Sequence, residues 1–340
     1  MAKRSIAVLG TGGWGTAIAL LLDGKGFDVR LWGRRPEFVE TLLSSRVNER
    51  YLPGIKIPDS VRLLADISEA TRDTELLVCG VPTQHIRPAL AGLASRVTSP
   101  APVVSLSKGI ENDTLLLPTQ VLAQLFGAGR SYAVLSGPSH AEEVARGQPT
   151  TVVVASRDSS LALAIQETFS TKRFRVYTNT DVLGVELAGA LKNVIALAAG
   201  ASDGLGYGDN AKSALLTRGL AEIARLGVAM GARRETFAGL AGMGDLITTC
   251  VSPFGRNRAV GLQIAKGKKL SQILAETSMV AEGVKTTLST RALARRSGIE
   301  MPITEQAYEV LFNDKDPRQA VLDLMMRPLQ TEAEVVPSGG

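Results

Sequence analysis

Lys192 is the only charged residue between Glu186 and Asp203, in a stretch dominated by Ala, Gly, Leu, Val and Ile. At helical spacing its neighbours Ala188, Gly189, Ile195 and Ala196 are small or apolar, so a helix here partly desolvates the ammonium. Desolvation lowers a lysine pKa, and a lysine brought toward neutrality can exchange a proton with a carbonyl or an alcohol; the bland alternative is a stem that snorkels to water. Far upstream, Gly10-Thr11-Gly12-Gly13-Trp14-Gly15 matches G-x-G-x-x-G between the apolar runs "SIAVL" and "TAIALLL". Glycine in a regular element costs about 0.5–1 kcal/mol of stability, so four together call for a compensating contact. In a strand-to-helix turn the first glycine makes the turn and the second lets backbone approach a pyrophosphate. The last lets helix and strand pack closely, with the helix N-terminus facing the anion. Trp14 either packs in the core or covers the dinucleotide. About 20 residues on, NAD enzymes usually carry an acidic residue for the ribose hydroxyls. Here stand Gly33, Arg34 and Arg35. Two arginines can pair with a 2′-phosphate, so NADP(H) is expected to be accepted at least as well as NAD(H).

Further polar segments end later apolar runs: "GVPTQ", "SKG" with Lys108, and "SGPSHAEE" with Gly137 and Ser139. Ligands of doubly wound sheets lie beyond the carboxyl ends of the strands, so these segments are joint site candidates. Lys108 can face a phosphate or a carbonyl oxygen. Ser139 precedes a helix start and can cap it or leave the helix N–H groups to an anion. In "GLAGMGDLITTC", Asp245 enters a Thr-rich helix start, where N-capping is its ordinary role. "FGRNRAVG" brings Gly255, Arg256, Asn257 and Arg258 to one turn, a donor cluster suited to a phosphate dianion. His85 and His140, the two histidines, are not spaced with carboxylates as ligands, so no metal site is expected.

The elements that must hold these groups follow from pattern. Over residues 1–180, seven short runs alternate with helical stretches: "SIAVLG", "FDVRLWG", "ELLVCGVP", "PVVSLSKG", "SYAVLSGPS", "PTTVVVAS" and "RFRVYTN". Their Val- and Leu-rich centres read as parallel strands covered on both faces, which is a doubly wound, Rossmann-type α/β domain. Over residues 181–330 the strand pattern gives way to Ala- and Gly-rich helical stretches, an all-helical domain for substrate and catalysis. Residues 331–340, polar and ending in Gly, read as a disordered tail. The 340 residues suit two cores. Cys79 and Cys250 form no framework, and "GTGG" interrupts the apolar N-terminal run that a secretory signal needs, so a reducing cytoplasm is expected, without an integral membrane segment. The net charge of +5 is scattered through the chain and fits a small anionic substrate as readily as nucleic acid.

Taken together the chain closely resembles the bacterial biosynthetic-type NAD(P)-dependent glycerol-3-phosphate dehydrogenases. The motifs are "GTGGWGTAIA" at 10–19, "SLSKGIE" at 105–111, "LSGPSHAEE" at 135–143, "LKNVIALAAG" at 191–200, "AGMGDL" at 241–246, "GRNR" at 255–258 and "VAEGV" at 280–284. The resemblance implies reduction of dihydroxyacetone phosphate to sn-glycerol 3-phosphate for phospholipid synthesis in the cytoplasm, with no nucleic-acid partner and a homodimer as the assembly to test. It implies that Lys192 is the proton donor and acceptor, that Lys108 contacts substrate and nicotinamide, and that Asp245 keeps Lys192 in place. It further implies substrate contacts at Gly137, Ser139, Asp245, Gly255, Arg256 and Asn257. Dinucleotide contacts are implied at Trp14, Arg34, Arg35, Ala141, Arg256 and Glu282, beside the glycines. Gly255 departs from the serine of many relatives: the hydroxyl contact is lost and the main-chain N–H remains. The nearest rival is a β-hydroxyacid dehydrogenase of the 6-phosphogluconate type, whose lysine is followed by asparagine three positions on, where this chain has Ile195. A non-catalytic NADP(H)-sensing protein would need the glycine loop but not Lys192, Asp245 and Arg256.

Overall fold

The computed structural model describes residues 3–276, 281–329 and 331. The chain divides into two compact units, residues 1–108 with 117–182, and residues 109–116 with 183–340. The break expected near residue 180 makes no provision for Gly109–Leu116, which groups with the second unit. Of the tail expected from residue 331, all but Thr331 lies outside the described residues, as does Val280 of the "VAEGV" motif.

The first unit contains strands β1 (Ser5–Leu9), β2 (Asp28–Trp32), β3 (Val47–Asn48), β4 (Leu52–Lys56), β5 (Arg62–Leu64), β6 (Leu76–Cys79), β7 (Val103–Ser105), β8 (Tyr132–Ser136), β9 (Thr150–Ser156) and β10 (Phe174–Asn179). Eight form one sheet in the order β10-β9-β8-β7-β6-β1-β2-β5, and β3 pairs with β4 as a separate antiparallel hairpin. All seven expected runs are strands of the main sheet. β5 and the hairpin are additions: β3 and β5, of two and three residues, leave no readable period in the sequence, and β4 carries Pro53 and Gly54, which break a strand pattern. All residues of β1 are buried, as expected of a central strand covered on both faces.

The expectation of a wholly parallel sheet fails at one pairing: β8 and β9 run antiparallel. The connection between them holds only the five-residue helix Ala141–Ala145. At a rise of 1.5 Å per residue this is about 7 Å, too short to return the chain along a strand of about 17 Å, so β9 folds back directly. β1 lies between β2 and β6 and pairs parallel with both. The chain leaves β1 toward one edge and resumes at β6 toward the other. The loops after β1 and β6 therefore diverge at a topological switch point, where open α/β sheets bind ligands.

The second unit is helical. Its central helix, Val182–Gly204, buries both Lys192 and Asn193. Helix Arg256–Ala265 crosses it closely, because side chains at Gly200 and Gly261 would overlap main-chain oxygens of the facing helix. Helix Val182–Gly204 is long and apolar enough to cross a membrane by length and composition alone, but 83% of its most apolar window is buried inside the protein. It is accounted for as a core helix.

Candidate active site

In the first unit, the turn from β1 into helix Gly13–Asp23 shows why glycines cluster there. Gly10 has φ +115°, a conformation open to glycine, and receives the main-chain approach of Gly80 and Val81 at the switch point. A side chain at Gly15 would overlap the Gly10 carbonyl oxygen, and one at Gly13 would lie 2.5 Å from the Tyr51 carbonyl oxygen of the hairpin. Gly12 differs: a side chain there would meet nothing within 4 Å. Packing demands three of the glycines, whereas the fourth keeps a bare backbone facing open space. Helix Gly13–Asp23 begins there without a side-chain cap and without an acidic residue in its first turn, so its leading N–H groups and positive dipole end suit an anion.

Trp14 packs against the sheet's core cluster and tilts against Phe174 at 6.5 Å, as the core reading expects. Its Nε1 is nevertheless buried with no hydrogen-bond partner among the described residues, an orphan donor beside the anion site. The open backbone at Gly12, the uncapped helix start and this donor fit a dinucleotide. Ala141 lies against the same turn, its Cβ 3.7 Å from where a Gly13 side chain would begin. Arg34 and Arg35 are exposed beyond β2, and Arg35 Nη2 donates to Tyr51 Oη at 3.2 Å.

Gly12→Ala is expected to leave unfolding within about 1 kcal/mol of the parent while weakening dinucleotide binding. Gly15→Ala should cost about 1–3 kcal/mol through overpacking. Thermal unfolding together with a dinucleotide Kd checks both, and an unchanged Kd for Gly12→Ala would contradict the anion role.

At the end of β8, the Gly137 carbonyl accepts from Lys108 Nζ at 3.0 Å and from Ser139 Oγ at 3.0 Å. Three expected site residues thus meet at one carbonyl. Ser139 does not cap the following helix: the cap position belongs to His140, which makes no side-chain cap bond. The hydroxyl turns back to Gly137 instead.

In the second unit, Lys192 is 5% exposed and Asp245 2%. Lys192 Nζ lies 2.9 Å from Asp245 Oδ1 and also donates to Thr249 Oγ1. Thr249 Oγ1 in turn donates to the Asp245 main-chain oxygen at 2.6 Å. Asp245 does not act as a helix N-cap, because a π-helical turn, Leu240–Gly244, runs directly into its helix, Asp245–Val251. The side chain is therefore available to the ammonium. The expectation of desolvation alone is incomplete, since a carboxylate at this distance favours the charged form of Lys192. The adjacent Cys250 thiol is pushed up to about 12, mainly by burial, which keeps it neutral. Thr249 was missed in the sequence, although it stands one helical turn after Asp245.

The "GRNR" cluster separates into different roles. Arg258 is bound to Asp203 at 2.6 Å, which also holds Lys212. Asn257 Nδ2 donates to Asn193 Oδ1 at 2.9 Å, and Asn257 Oδ1 accepts from the Gly283 N–H at 3.0 Å. This joins three helix segments and brings the starts of helices Arg256–Ala265 and Glu282–Arg296 together, with Arg256 and Glu282 at their first positions. Arg256 is exposed and has no charged partner among the described residues. A side chain at Gly255 would lie 2.7 Å from the Thr249 carbonyl oxygen, so glycine here is set by packing in this chain. The described residues hold no group of three or more His, Cys, Asp or Glu able to bind a metal.

A switch-point sheet with a glycine-rich turn suited to an anion, and a helical unit carrying a buried lysine–carboxylate pair, are the features of dinucleotide-dependent dehydrogenases. The chain belongs to the NAD-dependent glycerol-3-phosphate dehydrogenase family: residues 5–162 match its N-terminal model and residues 181–322 its C-terminal model. A Geobacter sulfurreducens protein named glycerol-3-phosphate dehydrogenase (NAD(P)+) is 53% identical over 334 residues, covering 98% of this chain and 99% of that protein. A protein of the same name from Geobacillus kaustophilus is 51% identical, covering 97% of each. The crystal structure of glycerol-3-phosphate dehydrogenase from Coxiella burnetii matches with a TM-score of 0.92 at 38% identity, covering 96% of this chain and 99% of that one.

Proposed function

We infer that this chain is an oxidoreductase that reduces dihydroxyacetone phosphate to sn-glycerol 3-phosphate for phospholipid synthesis, using NADPH or NADH. The observation that carries the chemistry is the buried Lys192–Asp245 pair. The reduced nicotinamide, when bound, supplies the hydride that reaches the carbonyl carbon. Lys192 donates the proton that turns the carbonyl oxygen into the alcohol, and returns to the ammonium form from solvent. Asp245 and Thr249 fix the direction of Nζ, and Asp245 offsets the cost of burying its charge. Lys108, tethered to Gly137, steadies negative charge developing on the oxygen, and Ser139 adds a hydroxyl to the same face. Arg256 takes the phosphate with the leading N–H groups of its helix, that of Asn257 included, while the Gly255 N–H, expected to remain for the substrate, is already donated to the Ser252 carbonyl at 3.1 Å; binding energy remote from the carbonyl thus orients it. Glu282 and Ala141 belong to the dinucleotide side of this reading. Cytoplasmic placement and a homodimer are part of it too, and rest on the family resemblance.

The test is to supply the purified chain with dihydroxyacetone phosphate and NADPH. Equal amounts of NADPH consumed and sn-glycerol 3-phosphate formed are expected. Dinucleotide binding without turnover would return the chain to the sensing reading. Arg256→Ala is expected to raise KM for dihydroxyacetone phosphate about 10–100-fold, the worth of one charge-assisted phosphate contact, and to lower kcat as well, because the same contact orients the carbonyl. Steady-state kinetics checks this, and an unchanged KM would make Arg256 a solvated side chain.

A further inference from the structure

The β3–β4 hairpin is fastened to the glycine loop by a residue with no catalytic chemistry of its own. Asn48 is fully buried; its Nδ2 donates to the Thr11 carbonyl at 2.9 Å and to Thr16 Oγ1 at 2.8 Å, while its Oδ1 accepts from the Tyr51 N–H at 3.3 Å. The hairpin tip, residues 49–51, is thereby held beside the pyrophosphate loop. Tyr51 gathers two cations there: Arg35 Nη2 donates to its hydroxyl at 3.2 Å, and the Arg50 guanidinium lies 5.3 Å from its ring centre. Phe38 meets the Tyr51 ring edge-on at 5.6 Å, with the Arg35 guanidinium 5.3 Å from the Phe38 ring centre. Arg34, Arg35 and Arg50 form no ion pair among the described residues, although Glu37 and Glu49 are near in sequence. Like charges held on one aromatic pair without a carboxylate repel one another, and an anion between them relieves the repulsion.

We propose that Arg50 is a third cation for the 2′-phosphate of bound NADP(H), making the hairpin tip a cofactor-selecting element rather than a solvated turn. This rests on the dinucleotide reading above. A phosphate dianion accepts from several guanidinium donors at once, whereas the ribose hydroxyl of NADH offers no charge to pair. Selectivity then comes from two segments separated by helix Pro36–Ser45: the end of β2 presents Arg34 and Arg35, and the hairpin presents Arg50.

The test is Arg50→Gln, measured by calorimetric binding of NADPH, NADH and 2′,5′-ADP to the free enzyme, with thermal unfolding as a control for folding. NADPH and 2′,5′-ADP are expected to weaken about tenfold and NADH to change less than about twofold, as for loss of one charge-assisted contact. Equal weakening of NADPH and NADH, or no change in either, would overturn the role of Arg50. The parent and an Arg34→Ala, Arg35→Ala variant are measured alongside. A parent that binds neither dinucleotide would sink the underlying reading, whereas selectivity lost in the double variant and kept in Arg50→Gln would sink only this proposal.

Discussion

The Arg34→Ala, Arg35→Ala variant is expected to bind NADPH on the order of 10²-fold more weakly and NADH nearly as before. Both side chains are exposed, so each charge-assisted contact is taken at the low end of its range, about 1.5 kcal/mol. Two such contacts amount to about two decades in Kd. Removing exposed guanidinium groups opens no cavity, and Tyr51 keeps its other contacts to Phe38 and Asn48. The check is kcat/KM with each dinucleotide, beside thermal unfolding. Equal loss with both would mean that the arginines serve the loop's structure and not the 2′-phosphate.

Lys192→Met is expected to lower kcat on the order of 10²–10⁴-fold, as for removal of a positioned acid. Judged by Lys192 alone, the change would also relieve a buried charge. The structure reverses that sign, because Asp245 is equally buried and 2.9 Å away. Deleting the ammonium takes from the buried Asp245 carboxylate its charged neighbour, at a cost of about 3–5 kcal/mol. A second variant, Lys192→Met with Asp245→Leu, removes both charges and should regain most of the lost stability while kcat stays low. Thermal unfolding and kcat on the two variants separate the roles. Near-normal kcat in either would contradict proton donation, and failure of the double variant to regain stability would contradict the pairing.

Much of this was legible before any coordinates, and the pattern of what was not is physical. Seven runs of Val and Leu announced seven strands because burial on both faces leaves a continuous apolar signal. The antiparallel turn into β9 depended on helix Ala141–Ala145 being five residues long, a boundary that composition does not mark. The hairpin carrying Asn48, Arg50 and Tyr51 has a two-residue strand on one side, below the length at which alternation can be counted. In the helical unit, Lys192 stood out because a charge in an apolar helix is rare. Asn257 and Arg258 looked like equal members of a donor cluster with Arg256. Their partners, Asn193 and Asp203, lie 64 and 55 residues away, and only the packing of helix Arg256–Ala265 against Val182–Gly204 reveals that those donors are already engaged. Asp245 was visible, but not its direction, which the π-helical turn before it decides.

The central claim is that Lys192 supplies the proton while the glycine loop independently holds the dinucleotide. It is tested most directly by a single-turnover measurement on Lys192→Met, with saturating dihydroxyacetone phosphate and enzyme in excess over NADPH, alongside the NADPH Kd of the same variant. The account predicts an unchanged Kd and a rate of nicotinamide oxidation reduced on the order of 10²–10⁴-fold. A parent-like single-turnover rate under the same conditions would contradict it.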